Sequence, residues 1–369
     1  MIKKNSFLNL IYGLFTIFLL IIIIKNPNEI ILAASSSLTL WYKALLPTLF
    51  PFMCGVGILS ELGIPIFIGK ILNPIMYPLF GVSGKCAFPW IMGLISGYPM
   101  GAKITNDLFH QGEINANDSQ KILSFCNNPG PLFVIGTAAC VMLKNKSIGY
   151  LLMICIFLSS LTTGIIFRFF NTKNNIIITV KKQEYKSKDT KNILGNVIYS
   201  SIVTISQIGG FVVIFGIIIK SLEITGISNI LVNIFSFLPV SKDFISGIIS
   251  GIFEITSGIE IISNSSEDII LKLIAIGAIL SWSGISIISQ SFSILSECYI
   301  KKNIYIFSRL INSLFTGVYV YLLFPFFENN IKKAVPAILI KDTAINYINI
   351  YFLFFLFSLI IFVMTKKKV

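Results

Sequence analysis

The sequence predicts an all-α polytopic membrane protein with two inverted repeats that contain broken or re-entrant helices, as in transporters. Three observations lead to this prediction. Hydrophobic residues make up 55% of the 369 residues, charged residues only 12%, and the mean hydropathy is +0.85, whereas soluble domains carry about 25% charged residues. Apolar runs of membrane-spanning length recur along the chain, with shorter, interrupted apolar segments between them. The two halves of the chain also resemble each other weakly.

Six apolar runs are long enough to cross the hydrocarbon core of a bilayer, which takes roughly 20 helical residues. The first run follows Lys3 and Lys4 and is longer than the apolar region of a secretory signal peptide, so we interpret it as an uncleaved membrane helix. The runs cover residues 7–24, 45–62, 147–170, 195–219, 305–328 and 347–364.

Other apolar segments are too broken or too short to be straight membrane helices. Residues 85–107 contain two prolines and three glycines, and residues 130–143 and 285–295 are too short to cross alone. Residues 113–127 are predicted to form an amphipathic helix with an Asx N-cap, which ends at an Asn-Asn-Pro-Gly-Pro break. Broken helices at membrane depth are tolerated only where they are buried in protein or line a cavity.

The lysines set the predicted topology. Residues 171–191 carry the densest lysine cluster, which the positive-inside rule places in the cytoplasm together with both lysine-rich termini. With this topology, the lysine pairs at 301–302 and 332–333 lie either on the outer side of the membrane or in the protein interior. The net charge of +13, from 29 Lys and Arg against 16 Asp and Glu, is therefore attributed to topology and anionic membrane lipid rather than to nucleic-acid binding.

Three local matches recur in order at a nearly constant offset, which indicates an internal repeat. If the N-terminus and residues 171–191 are both on the cytoplasmic side, the two halves have opposite orientations. Inverted repeats with discontinuous helices are typical of secondary transporters, whose substrate site lies near the bilayer midplane. Gene duplication without transport is the alternative. The matches pair FMCGVGILSELGI (52–64) with FVVIFGIIIKSLEITGI (211–227), MGLISGYPMG (92–101) with SGIFEITSG (250–258), and LSFCNNPGPL (123–132) with LSWSGISII (280–288).

These features divide the chain into five predicted parts. They are an N-terminal membrane helix (1–30), a first repeat (40–170), a basic cytoplasmic loop (171–191), a second repeat (192–328), and a C-terminal loop with a membrane helix (329–369).

The sequence contains no motif of a soluble enzyme. GxSxG, Walker A and HExxH patterns are absent, none of the six cysteines forms a CxxC pair, and His110 is the only histidine. We therefore predict no enzymatic activity, no cofactor and no metal site, and we interpret the cysteines as small buried hydrophobic residues.

Charged residues within apolar segments are functional candidates, because a charge at the centre of the bilayer costs a few kcal/mol. Asp107, Glu254 and Glu260 are the candidates for carrying a coupled ion, and Glu254 is the strongest because apolar residues flank it. Lys103 would attract an anion. Lys103 and Asp107 are spaced i,i+4 on a helix, so mutual neutralisation is the alternative.

Uncharged residues at the helix breaks complete the predicted site. Pro and Gly open a helix, and the next half-helix begins with free N–H groups and a partial positive charge that favours an anion. Amides and hydroxyls supply polar contacts, and Tyr98 or Trp282 would stack on a ring. Helix packing by small residues is the alternative. The predicted substrate-binding residues are Ser96, Gly97, Tyr98, Lys103, Asn127, Asn128, Gly130, Glu254, Thr256, Ser281, Trp282, Ser283 and Gln290.

Four motifs carry a family resemblance that extends from about residue 40 to residue 330: SGYPMGAK (96–103), LSFCNNPGPLFVIGT (123–137), GIFEITSG (251–258) and LSWSGISIISQ (280–290). With them the sequence resembles the YlbJ family of sporulation integral membrane proteins, within the group that carries the nucleoside-recognition Gate domain.

That wider group is similar to concentrative nucleoside transporters, which also use two inverted re-entrant repeats. In those proteins a membrane glutamate and an Asn/Ser motif on the following helix contact the nucleoside. The resemblance places Glu254 and Ser283 in comparable positions. The Asn of the motif has no counterpart, since Gly284 lies next to Ser283, and this departure argues against a nucleoside.

The family resemblance implies a role in late sporulation of endospore formers. It implies movement of dipicolinate, a flat aromatic dianion, across the mother-cell-derived outer forespore membrane. We therefore expect a transporter of a small anion. Coupling to H⁺ or Na⁺ and the assembly of an oligomer are both left open. The alternatives are an ion-coupled nucleoside transporter and a non-transporting membrane scaffold for spore assembly.

Overall fold

The structure, a computed structural model, describes residues 2–170, 193–295 and 300–334. The basic loop predicted at 171–191 and the membrane helix predicted at 347–364 lie outside the described residues. All regular elements in the described ranges are helices, which confirms the predicted all-α fold. The α-helices are α1 (Ile2–Lys25), α2 (Pro27–Leu40), α3 (Leu46–Glu61), α4 (Ile64–Phe80), α5 (Ala87–Ser96), α6 (Met100–His110), α7 (Ala116–Cys126), α8 (Lys146–Phe167), α9 (Ile193–Ile224), α10 (Ile227–Ile234), α11 (Lys242–Phe253), α12 (Ile255–Asn264), α13 (Ile269–Trp282), α14 (Gly284–Ile294) and α15 (Lys302–Ala334). A π-helix covers Leu132–Met142.

Several of these helices are long and apolar enough to cross a membrane. Four do so by themselves, namely Lys146–Phe167, Ile193–Ile224, Ile269–Ile294 and Lys302–Asn329. Two further helix pairs, Gly13–Lys25 with Pro27–Lys43 and Leu49–Glu61 with Ile64–Phe80, meet the same criteria only together and are bent by 107° and 80°. The chain is therefore an integral membrane protein with spans near five of the six predicted runs.

The apolar pattern does not predict the span at Ile269–Ile294 at full length. The pattern indicates a separate half-span at residues 285–295, but α13 and α14 together form one apolar span across the break at Ser283. Lys272 interrupts the apolar pattern of α13, yet it is buried and its ammonium donates a hydrogen bond to Ser263 O at 3.1 Å. The hydrogen bond to Ser263 thus lets the charged Lys272 be buried within an otherwise apolar helix.

The two halves of the chain show the same succession of elements. Each contains a helix followed by a left-handed glycine, a helical hairpin, a helix with a break, and a long helix. The glycines are Gly63 (φ +76°) and Gly226 (φ +73°), a conformation that favours glycine. The three internal sequence matches fall on corresponding features, because they cover these turns, the hairpin tips and the helix breaks. The opposite orientation of the two halves stays a prediction.

Close backbone contact holds each hairpin together. Between α5 and α6, a Cβ at Gly93 would lie 3.2 Å from Gly101 Cα and 2.0 Å from Cys126 O. Between α11 and α12, a Cβ at Gly258 would lie 2.3 Å from Gly251 Cα. Such distances leave no room for a side chain, so glycine lets the hairpin arms approach as small residues do in other membrane helix pairs.

Helix α7 differs from its prediction in one respect. Its Asx N-cap is present, since Asn115 Oδ1 accepts a hydrogen bond from Asp118 N at 2.8 Å. However, every residue from 118 to 130 is buried, so α7 lies inside the bundle rather than at a surface. Its polar side chains make internal contacts: Gln120 Oε1, for example, accepts a hydrogen bond from Lys301 N at 2.6 Å.

A ladder of hydroxyl groups joins helices α8, α13 and α15. Thr316 Oγ1 on α15 donates to Ser159 Oγ on α8 at 2.7 Å and lies 2.6 Å from Ser281 Oγ on α13. All three side chains are buried. In the absence of water, such pairs satisfy each other and keep the helices in register.

Gly258→Ala is expected to destabilise the protein by about 1–3 kcal/mol, because the new methyl group overpacks the α11–α12 crossing. The measurement is the thermal midpoint of the purified protein in detergent. Gly210→Ala is the matched control, since a Cβ there would meet nothing within 4 Å. Equal midpoints for the two variants would contradict the close crossing.

Candidate functional site

In each half, the tip of the hairpin packs directly against the break of the following helix. A Cβ at Gly97 would lie 2.6 Å from Gly130 N, so the α5–α6 tip touches the break between α7 and the π-helix. A Cβ at Gly284 would lie 3.1 Å from Phe253 O, so the α11–α12 tip touches the break between α13 and α14. The predicted site residues Gly97 and Gly130 are thus in contact, and both breaks are built into the protein interior.

The carboxyl end of α7 is capped by side chains of α8, of α15 and of the break itself. The last carbonyls of a helix have no partner within the helix and carry a partial negative charge. Arg309 on α15 donates from Nη1 to Asn127 O at 2.5 Å and from Nη2 to Ser124 O. Phe125 O accepts hydrogen bonds from Asn128 Nδ2 at 2.7 Å and from Ser160 Oγ at 2.9 Å.

Arg309 is a buried charge that is not among the predicted site residues. Its side chain is 0% exposed, and none of the ion pairs among the described residues involves it. Its Nε has no hydrogen-bond partner. A lone arginine within the apolar run 305–328 was the available signal, because an ionisable residue inside a membrane helix is a functional candidate by default.

The asparagine pair links the first half to the second. Asn127 Nδ2 donates to Ser291 Oγ at 3.0 Å and to Tyr305 OH at 2.8 Å. Asn128 Oδ1 accepts a hydrogen bond from Asn312 Nδ2 at 3.2 Å. The two amides therefore have structural partners on α14 and α15, which the sequence could not identify, while Asn127 Oδ1 keeps no partner.

Six buried polar atoms without a hydrogen-bond partner belong to residues at or near the two breaks. Buried polar groups in proteins nearly always have partners, so this grouping indicates a place for water or a polar ligand. Tyr98 lies close enough to Glu254 and Arg309 to interact electrostatically with both, which connects the two halves. We call these residues the central cluster: Ser96 (Oγ), Tyr98 (OH), Asn127 (Oδ1), Ser283 (Oγ), Gln290 (Nε2) and Arg309 (Nε).

Glu254 forms the tip of the second hairpin and caps α12. Its Oε1 accepts from Thr256 N at 2.9 Å, and its Oε2 accepts from Ser257 N at 2.8 Å and Ser257 Oγ at 3.1 Å. The amino end of α12 is therefore occupied by a carboxylate of the protein itself. A free half-helix amino end for a substrate anion, as the sequence suggested, is not present at α12.

The residues of the break between α13 and α14 make different contacts. Ser283 has φ +77°, in the left-handed region, and is fully buried. Trp282 Nε1 donates to Ile252 O at 3.1 Å, so its indole ties the break to the hairpin. Ser281 belongs to the hydroxyl ladder with Thr316. Trp282 thus ties the break to the hairpin and Ser281 ties it to α15. Of these three residues, only Ser283 has a buried side-chain atom without a hydrogen-bond partner.

The remaining charged candidates lie in other surroundings. Lys103 Nζ forms an ion pair with Asp107 Oδ2 at 3.0 Å. The two side chains therefore neutralise each other, which is the alternative that their i,i+4 spacing predicts. Glu260 is exposed on α12, where its backbone carbonyl accepts hydrogen bonds from Ser263 and Asn264. Of the three predicted ion-coupling residues, Glu254 is the one next to the central cluster.

Comparison with known proteins places this architecture in a family. The family model described as Gate, nucleoside recognition, matches residues 42–173. The sporulation integral membrane protein YlbJ of Bacillus subtilis (strain 168) is 30% identical to this chain over 85% of this chain and 82% of its own length. No solved structure matches the chain. With this extent of identity over most of both chains, the chain belongs to the YlbJ family of sporulation integral membrane proteins.

Proposed function

We propose that this protein is a secondary transporter of a small anionic metabolite, with dipicolinate as its substrate, in the outer forespore membrane of a sporulating cell. The observation that carries the proposal is the buried guanidinium of Arg309, which has no carboxylate partner among the described residues. An isolated charge inside a protein is costly unless a counter-charge compensates it. A bound carboxylate would supply that counter-charge.

The hydrogen-bonding groups of the central cluster favour the same class of ligand. Arg309 Nε and Gln290 Nε2 can only donate, and the hydroxyls of Ser96, Tyr98 and Ser283 donate as readily as they accept. Asn127 Oδ1 is the single obligate acceptor of the cluster. A set of groups rich in donors fits a ligand rich in acceptors. Dipicolinate offers four carboxylate oxygens on a flat ring that Tyr98 would stack against.

The proposed mechanism is alternating access around this central cluster. In transporters with discontinuous helices, substrate binds at the breaks, and one group of helices rocks against the rest to expose the site to either side. Here the hairpin tips at Gly97 and Glu254 rest on the breaks at Gly130 and Gly284. A displacement of either hairpin would uncover the central cluster, while the hydroxyl ladder keeps the long helices together.

A nucleoside is the second candidate substrate, and the description of the matching family model favours it. The amides of Asn127 and Gln290 suit a nucleobase, which has both donors and acceptors, and Glu254 would contact the ribose. The charge of Arg309 argues against it, because a neutral nucleoside leaves that charge uncompensated.

Purified protein in sealed liposomes is expected to take up radiolabelled dipicolinate and to leave uridine outside. Unlabelled dipicolinate should compete, and picolinate, with one carboxylate, should compete more weakly because it compensates less charge. Empty liposomes are the control. Uptake of uridine alone would favour the nucleoside candidate, and uptake of neither compound by correctly folded protein would favour the scaffold alternative.

Asn127→Asp is expected to reduce dipicolinate uptake at least about tenfold, because a carboxylate beside Arg309 would compensate its charge and repel a dianion. The hydroxyls of Ser291 and Tyr305 can reverse their hydrogen bonds and donate to the new carboxylate, so the fold is expected to persist, which a thermal midpoint checks. Asn233→Asp, on the exposed part of α10, adds the same charge elsewhere and should leave uptake unchanged. Equal uptake by both variants would contradict the role of the central cluster.

A further inference from the structure

The ends of broken helices inside a membrane protein attract ions. A half-helix that ends in the protein interior exposes carbonyl oxygens with partial negative charge. In transporters with discontinuous helices, unwound carbonyls and the carboxyl ends of half-helices coordinate Na⁺. The end of α7 has this form, with the carbonyls of Ser124, Phe125 and Asn127 at the break.

In this protein those oxygens are already occupied. The Arg309 guanidinium holds Ser124 O and Asn127 O, while Asn128 and Ser160 hold Phe125 O. Arginine stays protonated in proteins, and Arg309 is fully buried on α15, so its charge cannot be exchanged with the solution. A metal ion that required these oxygens would have to displace an internal side chain.

In the second half of the chain, a negative side chain, Glu254, lies at the amino end of a half-helix. Glu254 gives both carboxylate oxygens to the amino end of α12, where a helix favours an anion. Its oxygens therefore serve the backbone instead of forming the free carboxylate that a metal ion would seek. The two half-helix ends beside the central cluster are thus neutralised by side chains of the protein.

From this arrangement we infer that Arg309 is a built-in cation that replaces a dissociable Na⁺ at the end of α7, and that substrate binding and transport do not depend on Na⁺. The inference rests on the proposed function and deepens it, since it assigns transport that is independent of Na⁺. Arg309 is in this view a positioning residue for the break as well as the source of the positive charge.

The first experiment needs no substrate. The thermal midpoint of the full chain in detergent should be the same in sodium chloride and in choline chloride. Arg309→Ala should lower the midpoint by several degrees, and millimolar guanidinium should restore part of that shift by occupying the vacated space. Urea at the same concentration has a similar shape and no charge, so it should restore nothing.

Arg168→Ala is the matched control. Arg168 also caps a helix end, since it donates from Nη1 to Pro78 O near the end of α4, but it does so at the protein surface. Water replaces it there, so guanidinium should not raise the midpoint of this variant. A higher midpoint of the wild type in sodium, or equal restoration of Arg309→Ala by urea and guanidinium, would overturn the inference.

The second experiment measures dipicolinate binding to the wild type in sodium and in choline buffers of equal ionic strength. We expect the same dissociation constant in both. A loss of affinity of about tenfold or more without sodium would overturn the inference while leaving anion transport intact. If dipicolinate does not bind in either buffer, the proposed substrate fails, and the thermal midpoints still decide the role of Arg309. Should Arg309→Ala fail to fold, Arg309→Lys, which keeps the charge but loses the two-pronged contact, takes its place.

Discussion

Backbone groups at a broken helix must find partners inside the protein, because the surrounding hydrocarbon offers none. The end of α7 shows how much of the structure depends on this requirement. Its last carbonyls are satisfied by Arg309 of α15 and by Ser160 of α8, so the two long helices must stand where their side chains reach the break. The hydroxyl ladder of Thr316, Ser159 and Ser281 then holds the same helices at a second level.

The groups that satisfy the breaks also form the polar centre of the protein. Arg309 donates from Nη1 and Nη2 to the carbonyls at the end of α7, and its Nε has no partner. Asn127 donates from Nδ2 to Ser291 and Tyr305, and its Oδ1 has no partner. Each of these two residues therefore holds the fold with some of its polar atoms and leaves one buried polar atom without a partner. The bonds of Arg309 to carbonyls offset part of the cost of burying its charge in the interior of the bundle.

The two halves share a succession of elements but differ in the charges at their breaks. The first half has a cation at the carboxyl end of a half-helix, and the second has an anion, Glu254, at the amino end of one. Both placements agree with the helix dipole. The hairpin contacts also correspond, because each depends on glycines at the crossing and at the break. The two halves therefore share the order of their helices and the glycine contacts, and they differ in the side chain that satisfies the open helix end.

The sequence by itself determined the all-α membrane class, the interrupted segment at 85–107, the Asn-Asn-Pro-Gly-Pro break after α7 and the Asx cap of α7, because hydropathy, Pro, Gly and Asn act locally. Its motifs also indicated the family. It also identified Glu254 and the asparagine pair as unusual polar groups. Only the tertiary structure decided which partners they have: the bond from Arg309 to Asn127 joins residues 182 positions apart, and the burial of α7 and of Lys272 depends on packing by distant helices. Local pattern shows where a helix opens, whereas the side chain that satisfies the open end is set by helices that meet only in the folded bundle.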